Sequence, residues 1–186
     1  MAETRGLDPE KWLTSWRQAG AFSVSRHDLA KEGLLVSAFL PAGAIVKCAQ
    51  ELKDARYSLL DLSTLQAQEG FVVTYHFDGL DGPGRVAFRT LVPFKKPILP
   101  SLYDVFQGAE WHERESTDFF GLTFEGNPNL IPLLLPDDLP GPPPLRKNPA
   151  DLVPLAKLGL LGQAEILCPD FGDLIGLAAK EGGAAL

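Results

Sequence analysis

Apolar positions in the first half of the chain follow the period of a helix in two places and that of a strand in five. The spacing predicts helices over residues 8–20 and 44–55, where Trp12, Leu13 and Trp16 share one face and Ile45 and Cys48 begin another. Runs of alternating or β-branched residues predict the strands, which cover residues 22–26, 33–40, 58–65, 71–78 and 85–92. Helices and strands alternate irregularly, which favours one sheet with helices on a face.

Turn chemistry and a change of period define the rest of the first 121 residues. The run DGLDGPG at residues 78–84 is typical of a tight turn, so the strands on either side of it should form a hairpin. A short helix is expected at residues 101–106 and another at residues 109–120. We therefore predict an α+β fold for residues 1–121: a two-layer domain with one mixed sheet of about five strands, two helices packed on it, and a short helical segment after it.

Proline dominates the region that follows. Of the chain's 16 prolines, nine lie between Pro128 and Pro154, and leucines such as Leu130, Leu134 and Leu139 lie among them. Proline removes a backbone donor and disfavours helix in the residue before it, so this region should be extended. An apolar extended segment needs a surface to lie on. Residues 122–186 are therefore predicted to form an extended, proline-rich docking tail.

Composition excludes several classes of protein. The chain has 186 residues, of which 45% are hydrophobic, and a net charge of −7. It can bury a core, while its acidic total argues against general nucleic-acid binding. The longest apolar stretch, residues 34–46, contains Pro41 and Gly43 and is too short to span a bilayer. Acidic residues stand where a signal peptide would be basic, so we expect a cytosolic or cytosolic-side peripheral protein.

Residues that could carry chemistry are few and scattered. Cys48 and Cys168 are 120 positions apart, which excludes a four-thiolate metal site and favours free thiols in a reducing compartment, with a disulfide as the alternative. His112-Glu113 lacks the second histidine of a zinc-protease motif, because position 116 is serine. No catalytic, cofactor-binding or metal-binding residue is predicted.

The densest charge cluster lies in the helix predicted at residues 109–120. Arg114 is four residues from Glu110 and from Asp118, so it could bridge both carboxylates, whereas Glu113 and Glu115 fall on opposite flanks. Three interpretations remain open: a solvated helix with ion pairs, a helix that contacts a partner through its interleaved aromatic residues, and a catalytic site.

A second charged feature is a basic strip between Gly82 and Tyr103, which contains Arg85, Arg89 and Lys95 and has no acidic residue. Its simplest interpretation is the wet face of an edge strand. Contact with an acidic partner protein is the main alternative, and nucleic acid is a minor one.

The stretch from Trp111 to Leu130, with Pro-Leu-Arg-Lys at residues 144–147, resembles the signature of the 30 kDa subunit family of respiratory complex I (NADH:quinone oxidoreductase). It contains Glu113-Arg114-Glu115, then an acid and two aromatic residues, and then Gly-Leu-x-Phe-x-Gly-x-Pro-Asn-Leu. It departs from that signature at Asn127, where the family has histidine, and at Ile131 and Pro132, where the family has two arginines. The family also includes subunits of energy-converting membrane-bound hydrogenases.

The resemblance implies a non-catalytic structural or assembly subunit in the peripheral arm, on the cytoplasmic side of the cell membrane. It implies no cofactor in this chain, with iron–sulfur clusters and flavin or nickel–iron in partner subunits. The implied partners are the large quinone-reducing, nickel–iron hydrogenase-like subunit and the small iron–sulfur subunit. An equivalent hydrogenase subunit and a free-standing interaction module are the alternatives. The signature residues expected to contact a partner are Trp111, Glu113, Arg114, Glu115, Asp118, Phe119, Gly121, Phe124, Gly126, Pro128, Leu130, Leu145 and Arg146.

Overall fold

A computed structural model describes residues 9–81, 84–136 and 138–174. Helix α1 (Pro9–Gln18) and α3 (Ile45–Asp54) lie close to the predicted bounds, and Asp8, the expected cap of α1, falls outside the described residues. The five predicted strands are β1 (Ser23–Arg26), β2 (Val36–Phe39), β3 (Tyr57–Gln66), β4 (Phe71–Gly79) and β5 (Val86–Val92). A four-residue helix, α2 (Leu29–Glu32), joins β1 to β2, with Asp28 as its cap.

The main sheet is mixed and has six described strands, one more than predicted, in the order β3-β4-β5-β2-β1-β8. The pair β2–β5 is parallel and the other pairs are antiparallel, including the predicted β4–β5 hairpin. The sixth strand, β8 (Gln163–Ile166), pairs with β1 and is followed by α5 (Pro169–Leu174). Both lie in the region predicted to be an extended tail, so that part of the prediction is wrong.

Two hydrophobic clusters cover the two faces of this sheet. On one face α1 and α3 bury Trp16, Ile45 and Leu52 against strand residues such as Phe77 and Phe88. The other face carries a smaller cluster that joins the strands to the C-terminal region, made of Phe39, Ala67, Val72, Leu155, Leu161, Ile166 and Phe171. The sheet is therefore buried on both sides over part of its area, and the two-layer description applies to the first face alone.

A second, two-stranded parallel sheet forms beside the main one. It joins β6 (Ile98–Pro100) to β7 (Thr123–Glu125), and the helix α4 (Ala109–Phe120) runs between them in the chain. The short helix expected at residues 101–106 is instead a single turn, in which the carbonyl of Leu102 accepts from Val105 and Phe106. The Leu102 amide donates to the Glu113 side chain, which fixes this turn against α4.

Both cysteines are free thiols, so the alternative of a disulfide is excluded. Burial raises the pKa of Cys48 to about 12, which leaves it in the unreactive thiol form at neutral pH. Within the described part of the chain, none of the helices has the length and apolar character that crossing a bilayer requires.

Candidate functional site

Helix α4 divides the predicted signature residues into a buried set and an exposed set. Glu113 has no exposed surface and Arg114 is 8% exposed, while Trp111 is 65% exposed and Glu115 also faces solvent. The predicted opposition of Glu113 and Glu115 on the helix is confirmed. A simple solvated helix is excluded, because the middle of the signature is part of the interior.

Glu113 is the centre of a buried polar network. Its carboxylate accepts hydrogen bonds from the Ser101 hydroxyl at 2.6 Å, the Leu102 amide at 2.7 Å and the Asn127 side-chain amide at 2.9 Å. Burial raises the pKa of Glu113, and these three donors oppose that rise only in part. The carboxylate thus joins the segment after β6, helix α4 and the loop after β7 at one point.

Asn127, one of the three departures from the family signature, fits this network. Its side-chain nitrogen donates to Glu113 and, at 3.3 Å, to the carbonyl of Glu110, while its side-chain oxygen accepts from the Asn129 amide. The amide group therefore bonds the helix and begins the turn of the following loop.

Arg114 and Asp118 hold the next stretch of chain, and the predicted bridge between them does not form. The Arg114 Nε donates to the Ile131 carbonyl at 2.9 Å and one terminal nitrogen donates to the Pro132 carbonyl at 3.0 Å. Its contact with Glu110 is longer, at 3.4 Å. Arg114 uses its planar fork on backbone oxygens, which leaves Asp118 for other donors.

One Asp118 oxygen accepts from three successive backbone amides, those of residues 133, 134 and 135, at 3.0, 2.7 and 3.2 Å. Successive amides that converge on a carboxylate form an anion-binding turn. Arg114 and Asp118 therefore bind the carbonyls and the amides of one continuous stretch, residues 131–135. Arg114 bonds the backbone carbonyls of Ile131 and Pro132, and such bonds can form whichever side chains stand at those two positions.

The far end of α4 is fixed by Gly121 and Arg146. Gly121 ends the helix in the left-handed region, at φ +70°, and a Cβ there would lie 2.8 Å from a nitrogen of Arg146. Arg146 donates to the carbonyl of Phe120 at 2.8 Å and lies over the Phe71 ring, while the Leu145 amide donates to the carbonyl of Phe119. Phe124 is buried in β7, and Gly126 takes φ +96° in the turn after it.

We name residues 127–147 the α4 loop. These contacts hold its described residues 127–135 and 145–146 against the helix. Several of its apolar side chains are exposed to solvent, while Leu133 and Leu135 are half-buried. The most exposed of them are Leu130, Ile131, Leu134 and Leu145, each more than half exposed. Pro128 also faces solvent. An ordered loop that presents several large apolar side chains is typical of a protein-interaction surface.

One residue of the basic strip, Arg89, lies in the interior of the sheet and not on an edge strand. Arg89 lies in β5, which is an interior strand between β4 and β2, so the edge-strand interpretation is wrong. Arg89 is only 5% exposed, and its Nε and one terminal nitrogen have no hydrogen-bond partner among the described residues. Burial lowers its pKa to about 10.

Sequence reasoning missed the feature that organises the site. The acceptor role of Asp118 and the burial of Arg114 depend on a loop that begins about a dozen residues later in the chain, and helical spacing alone suggests ion pairs. The run of Leu133, Leu134 and Leu135 between two prolines is the available signal, because its amides need acceptors once the segment is ordered.

The fold and the α4 site define an α+β domain with one helix that displays an apolar loop. The family model described as respiratory-chain NADH dehydrogenase, 30 Kd subunit, matches residues 39–151. That is more than half of the chain, and the chain belongs to this family. The matched residues include α3, β3 to β7, α4 and the whole α4 loop.

Individual relatives agree with this assignment. The C subunit of the NADH-quinone oxidoreductase from Mycolicibacterium paratuberculosis is 40% identical over 86 residues, which are 46% of this chain and 35% of the relative. The protein of the same name from a Nocardioides species is 38% identical over 85 residues, or 46% of this chain and 34% of that one. The match thus spans about a third of the length of these curated relatives.

Solved structures share the fold. The trypsin-resistant fragment of Nqo5 superposes with a TM-score of 0.56 at 28% identity, over 65% of this chain and 98% of the fragment. A chain of the membrane-bound sulfane sulfur reductase, an archaeal respiratory membrane complex, superposes with a TM-score of 0.62 at 23% identity, over 81% of this chain and 88% of that chain. At that identity the second likeness concerns the fold alone.

Proposed function

We propose that this chain is a non-catalytic structural subunit of the peripheral arm of a complex I-like NADH:quinone oxidoreductase. It packs against the large quinone-reducing subunit and supports electron transfer that is coupled to ion translocation. Flavin and iron–sulfur clusters belong to its partners, among them the small iron–sulfur subunit. The complex holds it on the cytoplasmic side of the membrane.

The proposal rests on a difference between two groups of signature residues: the charged residues of α4 bond the chain itself, whereas the leucines of the α4 loop are exposed. The charged groups of α4 form hydrogen bonds within the chain, so they are not available to bind a substrate. These groups belong to Glu113, Arg114 and Asp118. What they produce is a fixed, outward-facing set of leucines. Such an arrangement suits a protein surface that must keep its shape until a partner covers it.

Affinity purification of the tagged full-length chain from its native membrane tests the proposal. We expect subunits that carry iron–sulfur clusters to co-purify, together with NADH:quinone oxidoreductase activity. A matched variant with Leu130 and Leu134 changed to serine should fold normally and lose those subunits, because both side chains are exposed and neither supports the core. A wild-type chain that purifies alone contradicts the proposal.

A second candidate is the equivalent subunit of a membrane-bound energy-converting nickel–iron hydrogenase. The departures at Asn127, Ile131 and Pro132 leave room for it, since these three positions lack the basic side chains of the NADH:quinone signature. Mass spectrometry of the co-purified subunits separates the two candidates. NADH-binding subunits support the first, and nickel–iron hydrogenase subunits support the second.

A further inference from the structure

A groove of about 640 Å³ lies beside the first two turns of α4, where the helix meets the α4 loop. Its apolar lining comes from Trp111, Leu133 and Leu134, and its polar lining includes Glu110 and Glu115. Among the described residues, the lining contains neither lysine nor arginine. The groove is thus apolar with an acidic rim.

The two carboxylates differ in what they already bind. Glu110 accepts from the Asn129 side chain at 3.0 Å and lies 3.4 Å from Arg114. Glu115 is exposed and makes neither a hydrogen bond nor an ion pair with any residue that the structure describes. It therefore supplies the open negative charge of the groove.

Trp111 stands four residues before Glu115, so the indole ring and the carboxylate share one face of α4. Trp111 is the exposed member of the chain's three tryptophans, since Trp12 and Trp16 are 2% and 0% exposed. An exposed indole beside a free carboxylate matches the guanidinium group, which stacks on aromatic rings and binds carboxylates through its fork of donors.

We propose that this groove receives a basic segment of a partner subunit, with an arginine side chain lying on the Trp111 ring and paired with Glu115. The proposal rests on the proposed function, because it names the chemistry of the partner surface. Charge complementarity supports it: the chain carries a net charge of −7, and the described groove lining has two carboxylates, no lysine or arginine, and His112 as its one histidine. Buried tryptophan–arginine contacts are also where binding energy concentrates in protein interfaces.

A photo-crosslinking residue, benzoylphenylalanine, at position 111 tests the proposal in the assembled complex. We expect a crosslink to a partner-subunit peptide that contains an arginine within about four residues of the attachment point. The same crosslinker at Leu80, another exposed apolar position far along the chain from α4, is the matched control and should not label that peptide. A peptide without arginine, a crosslink to a second copy of this chain, or no crosslink in an intact complex overturns the proposal.

Charge variants give a second readout in the same complex. Glu115→Arg should lower retention of the partner about tenfold or more, and Glu115→Gln should lower it several-fold, whereas Glu125→Gln, at an exposed site in β7, should change nothing. Equal retention for the Glu115 and Glu125 variants counts against the proposal.

A third test uses the full chain without any partner, so its result does not depend on the proposed function. The indole N–H of Trp111 is followed by NMR while N-acetyl-arginine amide is added, with the neutral analogue citrulline amide as the control. Arginine should shift the Trp111 signal at least twice as far as citrulline, and Glu115→Gln should remove most of the difference. Equal shifts for both amides contradict the pairing even if the complex co-purifies.

Discussion

Replacing Glu113 by glutamine separates the scaffold role of α4 from its surface role. The side chains are nearly identical in shape, so the change tests hydrogen bonding and charge rather than packing. Glutamine can accept from the Leu102 amide only if its own NH₂ group points at Ser101 and Asn127. The Ser101 hydroxyl can turn to accept, but the Asn127 nitrogen is a donor and meets a second donor.

The expected magnitude follows from counting these bonds. A buried donor that loses its charged acceptor costs about 1.5 to 3 kcal/mol. Removing the buried charge of Glu113 offsets part of this cost, because burial already disfavours the ionised form. We expect a net loss of about 1 to 2 kcal/mol at pH 7, which corresponds to a fall in Tm of about 2 to 8 °C for a chain of this size.

The matched control is Glu115→Gln, two residues away on the same helix. The Glu115 side chain has no partner in the described chain, so this substitution should change the protein's free energy of unfolding by less than about 0.5 kcal/mol. Urea unfolding of the full-length chain, followed by far-UV circular dichroism, measures both variants. A Glu115 variant that is less stable than the Glu113 variant would refute the assignment of these two roles.

The pH dependence of the same pair checks the sign of the pKa shift. The pKa of Glu113 is higher in the folded chain than in the unfolded chain. As the pH falls from the folded-state pKa to the unfolded-state pKa, the folded chain therefore binds the proton first, and this favours folding. The wild type should therefore gain stability relative to Glu113→Gln as the pH is lowered from 8 toward the ordinary glutamate pKa of 4.5. If the difference in unfolding free energy between the wild type and Glu113→Gln is smaller at pH 5, the hydrogen bonds to the carboxylate lower its pKa more than burial raises it.

Three further substitutions test other parts of the structure. Arg89→Met should stabilise the chain by about 1 to 3 kcal/mol in the same unfolding assay, since it removes a buried cation whose Nε and one terminal nitrogen lack hydrogen-bond partners among the described residues. It should also raise the pKa of His76, which burial lowers most and the charge of Arg89 lowers further. A destabilised variant would show that the charge of Arg89 is compensated. Asp118→Asn removes the charge that holds the amides of residues 133–135, so limited proteolysis should cut the α4 loop several times faster while the unfolding midpoint moves little; an unchanged cleavage rate would contradict the anchor. Gly121→Ala should cost about 1 to 2 kcal/mol, because φ is +70° and the new methyl group meets Arg146, and an unaltered Tm would argue against that geometry.

Local patterns predict most of the first sheet but not its completion. The runs that form β3, β4 and β5 are seven to ten residues long, and β4 is rich in β-branched and aromatic residues. The turn between β4 and β5 also has a strong signature, so the positions of these strands follow from the sequence. The strand β8 has four residues, with glutamine and glutamate among them, and becomes a strand because it pairs with the far-off β1. Pairing over such a distance leaves no periodic signal.

The same limit applies to the site. Helical spacing correctly predicts that Glu113 and Glu115 lie on opposite flanks of α4. It cannot predict that Arg114 and Asp118 turn to the backbone of residues 131–135, because those partners are fixed by the loop and not by the helix. The prediction that Arg89 faces water fails for a related reason: the alternation in β5 suggests one wet face, but Leu155, Leu161 and other C-terminal residues cover part of it.

The pairing of β1 with β8 also orders events during synthesis. β1 leaves the ribosome well before β8, so its outer edge stays unpaired until residues 163–166 emerge. For the seconds in between, the growing chain carries an open strand edge together with the apolar residues of the α4 loop. At that stage the nascent protein exposes the most surface to which a chaperone, or a partner subunit that binds early, can bind.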